Sequence, residues 1–347
     1  MKILIISDAW HPQVNGVVRT YEYLSQELVK AGHVVEIVGP ASFKRTIPMP
    51  GYAEIKLAIA PKGQLKHIIE TAKADYIHIA TEGPLGWAAR NYCIKHNYEF
   101  TTTYHTHFPD YAAKRFSKYL PFLFKPIHAI CRHIVKTFHA GAESMFVATK
   151  SLEKELKEWG FKTPMQPLSR GANLDIFHHG TQTLFKDLPK PIALYVGRIA
   201  IEKNIESFLA MPWSGSKIIV GKGPSRAALE KQYPEAHFVG TKTGQELGDH
   251  YRSADIFIFP SRTDTFGMVL VEAMACGLPV AAYNVTGPKD IITEDMLGAL
   301  TEDDLSTAAQ KALSHSATKQ QRADYTKQHY SWKAASEQFL NGIKKQG

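Results

Sequence analysis

No apolar run in this sequence approaches the roughly 18–20 residues that a membrane-spanning helix needs. Cysteine is scarce: Cys93, Cys131 and Cys276 are odd in number and widely spaced, which excludes a disulfide framework and lacks the paired spacing of a zinc site. They read as small buried hydrophobes in a reducing compartment. There is no low-complexity segment and no 20–50-residue repeat, so a solenoid is excluded. The apolar N-terminus is interrupted at Asp8, with no small-residue cleavage site after it; it reads as a buried first strand rather than a signal peptide. Between Asp110 and Glu143 acidic residues are absent altogether.

What is present fits an α/β enzyme. The 347 residues exceed the size at which one hydrophobic core usually stops growing, so two domains are expected. Short apolar runs at 3–7, 34–39, 55–58, 76–80, 100–104 and 145–148 alternate with helical stretches, the first at 20–31. The periodicity fades between about 169 and 191, then restarts with strands at 193–196, 217–220, 237–239, 256–259 and 280–282, and a terminal helix follows residue 331. Strands alternating with helices predict mostly parallel sheets covered on both faces. The expected organisation is an N-terminal domain over 1–170, a linker over 171–190, and a C-terminal domain over 191–330. The net charge of +8 sits wholly in the first half, where residues 1–170 hold 22 Lys and Arg against 14 Asp and Glu; residues 171–347 hold 19 of each. A basic half suits an anionic partner.

Five segments carry candidate chemistry. Between Phe259 and Val280 a strand ends, a polar loop with Asp264 follows, and a helix opens near Phe266, Gly267 and Met268; its free amides and positive dipole end suit a diphosphate. Glu272, a turn further on, could accept hydrogen bonds from ribose hydroxyls. Spacing alone would make Asp264 and Glu272 surface acids, but the apolar neighbours of Glu272 imply burial and hence a partner. Arg198 and Lys203 follow the strand at 193–196, where two cations suit a pyrophosphate; the alternative is a surface pair beside Glu202. Gly221-Lys-Gly-Pro224 resembles a dinucleotide loop but lacks its third glycine, so it is a weak signal for such a cofactor. In the first half, Asn15-Gly16 predicts a tight turn where backbone approaches a ligand. His105 and His107 follow the strand at 100–104; no carboxylate or cysteine sits at metal-ligand spacing beside them.

Taken in order, Pro12-Gln-Val-Asn-Gly-Val-Val18, Tyr104-His-Thr106, Gly197-Arg198 with Glu202-Lys203, Gly221-Lys-Gly-Pro224 and Thr263 to Val280 resemble the GT4 family of retaining glycosyltransferases. The resemblance implies the GT-B fold, with two Rossmann-like doubly wound domains facing a central cleft and the terminal helix, 331–347, rejoining the first. It implies a nucleotide-sugar donor carrying UDP or GDP and no metal or other cofactor. Gly16 would lie close to the donor diphosphate, His105 would contact the transferred sugar, and Arg198 and Lys203 would clamp the phosphates. Phe266, Gly267 and Met268 would offer backbone amides, Glu272 would bind ribose and Asp264 would stand near the sugar hydroxyls. Asp264 departs from the family's usual glutamate, as in the lipid-directed branch that resembles sulfoquinovosyl- and digalactosyl-diacylglycerol synthases. Gly171-Ala-Asn173 also departs from the commoner Gly-Val-Asp.

The acid-free stretch mixes Lys114, Arg115, Lys118, Lys125, Arg132 and Lys136 with Phe116, Tyr119, Phe122, Phe124 and Ile127. That mixture suits docking of residues 114–136 on anionic lipid, whereas no nucleic-acid motif accompanies the charge. The expectation is a peripheral enzyme of the cytoplasmic membrane face that glycosylates a lipid such as diacylglycerol or a glycolipid. A soluble or polysaccharide-precursor acceptor is the alternative, and a nucleotide-sugar epimerase the weaker one.

Overall fold

The computed structural model describes all residues but 14, 50, 51, 60, 106, 117–120, 265 and 345–347. The chain forms two units, Met1–Ser169 with Trp332–Gly347, and Arg170–Ser331.

In the first unit, strands β1 (Lys2–Ile6), β2 (Val34–Val38), β5 (Tyr76–Ile79), β6 (Thr101–Thr103), β7 (Ser144–Val147) and β8 (Met165–Pro167) form one parallel sheet in the order β2-β1-β5-β6-β7-β8. Its middle is apolar on both faces because helices cover both: Ile3, Leu4, Ile5 and Ile6 are all fully buried, as an all-parallel sheet requires. The run at 55–58 does not join this sheet. Strands β3 (Thr46–Met49) and β4 (Tyr52–Ala58) pair antiparallel as a separate hairpin; Pro48, which has no amide to donate, and the exposed, charged Lys56 disqualify the pair from a central position.

The second unit repeats the plan with β9 (Ala193–Val196), β10 (Lys217–Val220), β11 (His237–Gly240), β12 (Ile256–Phe259), β13 (Val280–Tyr283) and β14 (Gly298–Thr301), all parallel in the order β11-β10-β9-β12-β13-β14. This is the Rossmann order, which reverses between its first and fourth strands. Leu194 and Tyr195 of β9 face Ile218 and Ile219 on one side, and Ala193 and Leu194 face Ile256 and Phe257 on the other. Below them Phe208, Leu209, Ile258 and Ala309 fill the core.

Two boundaries differ from the sequence reading. The stretch 171–190 is no bare linker but packs on the second unit: Phe177 stands edge-on to Tyr251 at 5.6 Å, and the amides of Thr183 and Leu184 both donate to Ser253 Oγ. The first helix runs Gly16–Lys30, so its first turn begins where a tight loop was expected. After Ser331 the chain returns to the first unit, where the helix Trp332–Lys344 lays Phe339 on Phe146 at 5.0 Å and Trp332 on Tyr23 at 5.2 Å.

Candidate active site

In each sheet the strand order reverses at one point, and the carboxyl ends there leave room for a ligand. In the second unit that point lies between β9 and β12. The chain leaves β9 at Gly197, whose carbonyl is met so closely by Gly221 that a Cβ there would overlap it; Gly223 sits likewise on the Ile199 carbonyl. The Gly-x-Gly loop therefore serves backbone packing under the Arg198 turn. Beneath that turn the buried Tyr195 hydroxyl donates to the Arg198 carbonyl at 2.9 Å. Burial, with the charges of Asp264 and Glu202 adding, pushes this phenol far above its ordinary value, so it stays protonated and remains a donor.

A turn at Ile201–Lys203 follows, ended by Asn204 in the left-handed region, φ 51°, a conformation that asparagine tolerates better than most residues. Its Nδ2 donates to the Pro260 carbonyl at 3.1 Å, tying the β9 turn to the end of β12. Lys203 Nζ thereby reaches Asp264 Oδ1 at 2.6 Å. The other oxygen, Asp264 Oδ2, is buried with no hydrogen-bond partner among the described residues. Arg198 stands 3.8 Å from Glu202 and is two-fifths exposed. The structure thus brings together Arg198, Lys203 and Asp264. The sequence reading did not anticipate that the last two pair.

The helix Met268–Ala275 opens beside them. Its N-cap is Gly267, with φ 90° and no side chain to occupy the first-turn amides. Such an end favours an anion. Phe266 is buried before it, and Gly287 packs against the Asp264 and Phe266 carbonyls, each 2.9 Å from where a Cβ would lie. Glu272 is 3 % exposed, as its apolar neighbours implied, and accepts the Tyr251 hydroxyl at 2.9 Å.

In the first unit the reversal lies between β1 and β5. Asp8, just past β1, is buried and accepts from the amides of Leu85 and Gly86 at 2.9 and 3.0 Å and from the Thr81 hydroxyl at 3.1 Å. It therefore caps the helix Pro84–Lys95 from across the sheet. Burial raises its carboxyl, against the pull of those donors. A Cβ at Gly83 would overlap this carboxylate. Gly83→Ala is expected to cost about 1–3 kcal/mol of stability through this clash, measured as a lowered urea midpoint. The Asn15-Gly16 turn is corrected to a cap: Asn15 Oδ1 accepts from the amides of Val17 and Val18 at 3.0 and 3.1 Å, and Gly16 is the first helical residue.

The two histidines after β6 part. His105 Nε2 lies 3.0 Å from the Tyr21 hydroxyl. His107 instead sits between Asp110 and Glu155, 3.8 Å from each. Among the described residues no group of three or more His, Cys, Asp or Glu is arranged to hold a metal ion.

Within the acid-free stretch, residues 117–120 lie outside the described residues, as do the side chains of Lys114, Arg115 and Phe116. The helix Phe124–His139 is described. It buries Val135, Phe138 and His139, yet its outer side is also apolar: Ile130 is 60 % exposed, Ile134 43 %, and Phe122 in the preceding turn 74 %.

Comparison with known families matches residues 14–176 to "Glycosyltransferase Family 4" and residues 181–332 to "Glycosyl transferases group 1". The chain belongs to the group 1, or family 4, glycosyltransferases and has the GT-B fold. This glycosyltransferase is 31% identical to sulfoquinovosyl transferase SQD2 of Arabidopsis thaliana over 81% of its own length and 55% of that protein's, so it spans about half of that relative. It is 26% identical to a GDP-mannose-dependent alpha-mannosyltransferase of Mycobacterium tuberculosis, covering 86% of this chain and 83% of that one. It is also 26% identical to the alpha-monoglucosyldiacylglycerol synthase of Streptococcus pneumoniae, covering 86% and 75%. Among solved structures, sucrose-phosphate synthase from Thermosynechococcus elongatus superposes with a TM-score of 0.75 at 21% identity, over 99% of this chain and 98% of that one; at that identity the likeness speaks for the fold.

Proposed function

We propose that this glycosyltransferase moves a hexose from a UDP- or GDP-sugar to a lipid acceptor at an anionic membrane surface, forming an alpha-glycoside with retention. The observation that carries the donor half is the grouping of Arg198, Lys203 and the uncapped start of the helix Met268–Ala275 at the reversal point of one sheet. Those cations and amides grip the donor diphosphate in the place a metal takes in other transferases. Glu272, held by Tyr251, binds the ribose. Asp264 faces the sugar hydroxyls with the oxygen that has no hydrogen-bond partner among the described residues; of the first unit's residues, the family resemblance assigns Gly16 to the diphosphate and His105 to the sugar. The anomeric carbon–oxygen bond breaks with its electron pair going to the phosphate oxygen. The acceptor hydroxyl forms the new bond on the face the diphosphate leaves, and its proton passes to that departing oxygen.

The acceptor half rests on the exposed Ile130 and Ile134 of the helix Phe124–His139 and on Phe122 before it; the same helix carries Lys125, Arg132 and Lys136. Exposed apolar side chains on a helix that also carries cations are suited to contact with an anionic bilayer. No helix among the described residues is long and apolar enough to cross a membrane; in this reading the enzyme lies on the cytoplasmic face of the bilayer. One named relative makes a glucosyldiacylglycerol, which favours a lipid; another uses GDP-mannose.

A radiolabelled panel of UDP-glucose, UDP-galactose, UDP-glucuronate and GDP-mannose, incubated with lipid extract and resolved by chromatography, tests the reaction. Label should enter one lipid band from one donor. Label entering only water-soluble glycans would replace the lipid acceptor with a soluble one, and donor conversion without any acceptor would mean an epimerase. For the membrane contact, the triple variant Phe122→Ser, Ile130→Ser, Ile134→Ser is expected to lose flotation with anionic vesicles at low salt by about tenfold or more. It should keep its melting temperature, since these side chains face outward. Equal flotation would remove this surface from the account.

A further inference from the structure

Beneath His105 lies a polar network that the diphosphate chemistry does not use. The Tyr21 hydroxyl is 2.8 Å from His78 Nε2, 3.1 Å from Thr103 Oγ1 and 3.0 Å from His105 Nε2. Tyr21 and His78 are both fully buried. His78 is fixed in turn: its Nδ1 is 2.9 Å from Thr101 Oγ1, and its ring stands edge-on to Phe339 at 5.2 Å and Phe146 at 5.8 Å. Tyr21 shares the buried face of its helix with Val18, Leu24 and Leu28. Phenylalanine would pack there equally well, so the hydroxyl answers to something other than packing. Burying it and an imidazole together is tolerable only because they bond each other.

A phenol has one proton, so among three neighbours Tyr21 donates one bond and accepts the others. If it donates to His105 Nε2, the neutral imidazole carries its proton on Nδ1. If it accepts from Nε2–H, Nδ1 is the acceptor. Each direction goes with one tautomer only, so the direction that Tyr21 takes, set by its bonds to His78 and Thr103, decides which tautomer His105 holds. The rings meet edge to face, at 5.5 Å and 81°, which selects the ring plane as well. We propose that Tyr21, braced by His78, is the positioning residue that fixes the ring orientation of His105 and the nitrogen on which its proton sits. Its consequence for rate rests on the reading that His105 contacts the transferred sugar; the ring state does not depend on that reading.

The test is Tyr21→Phe in full-length protein carrying ¹⁵N-labelled histidine, with long-range ¹H–¹⁵N spectra reporting both ring nitrogens of His105. The wild type should show one dominant tautomer near neutral pH, and a mixture of the two would overturn the proposal without any variant. In Tyr21→Phe the tautomer ratio should shift. In sugar-transfer assays kcat should fall about 10- to 100-fold, the scale set by groups that orient a metal-ligating histidine, while donor KM changes less than about threefold. An unchanged ratio overturns the role of Tyr21. A shifted ratio with unchanged kcat upholds it and counts instead against contact of His105 with the sugar.

Discussion

Arg198→Ala is expected to lower kcat/KM for sugar transfer by about 10³-fold or more, the scale on which an arginine stabilises charge on a departing phosphate. Two observations argue that the loss falls on the reaction and not on the fold. What Tyr195 holds is the Arg198 backbone carbonyl, which alanine also has. The guanidinium is two-fifths exposed and stands 3.8 Å from Glu202, a separation and setting in which an ion pair adds little stability. Steady-state kinetics beside a thermal melt separate the two. Arg198→Lys should recover only part of the rate, because an ammonium keeps the charge and loses the planar fork that meets two phosphate oxygens. A variant with near-wild-type turnover would remove Arg198 from the donor site.

Lys203→Met should fall second, by about 10²- to 10³-fold in kcat, since one preorganised electrostatic partner is lost from the leaving group. Here the fold is also touched. Lys203 is the partner of Asp264 at 2.6 Å, and the other Asp264 oxygen is already buried without a hydrogen-bond partner among the described residues. Removing the lysine leaves a partly buried carboxylate uncompensated. Adding Asp264→Asn relieves that charge, so the double variant should regain most of the lost melting temperature yet none of the lost turnover. Recovery of both together would make Lys203 a structural partner of Asp264 only.

How much of this was readable in the sequence depends on where each residue gets its meaning. Arg198, Lys203, Glu272 and the start of the helix at Gly267 stand within a few residues of an apolar run or a glycine that marks a strand end or helix start, and such local punctuation survives in one dimension. The edge strands Met165–Pro167 and Gly298–Thr301 escaped because they are short and only partly apolar. The hairpin at 46–58 was misjudged because β-period alone does not say which sheet a strand joins.

The supporting residues were missed for a different reason. Asp8, Tyr21, Asn204 and Tyr251 act across 21 to 84 positions of chain, as in Tyr251 to Glu272 or Tyr21 to His105, and no spacing rule reaches that far. His78 did leave a local signal: a histidine inside the buried strand Tyr76–Ile79 needs partners wherever it sits. The Lys203–Asp264 pair had no such signal, because which of two cations the acid would meet is set by the turn at Asn204.

The claim on which the account turns is that the second unit's own cations and amides hold the donor diphosphate. A crystal structure of the protein with a nucleoside diphosphate, grown in EDTA, tests it most directly. The phosphate oxygens are expected about 2.7–3.2 Å from the Arg198 guanidinium, Lys203 Nζ and the amides at Gly267 and Met268, with the ribose at Glu272. A diphosphate found away from Arg198 and Lys203, or one that binds only when a divalent metal is restored, would contradict it.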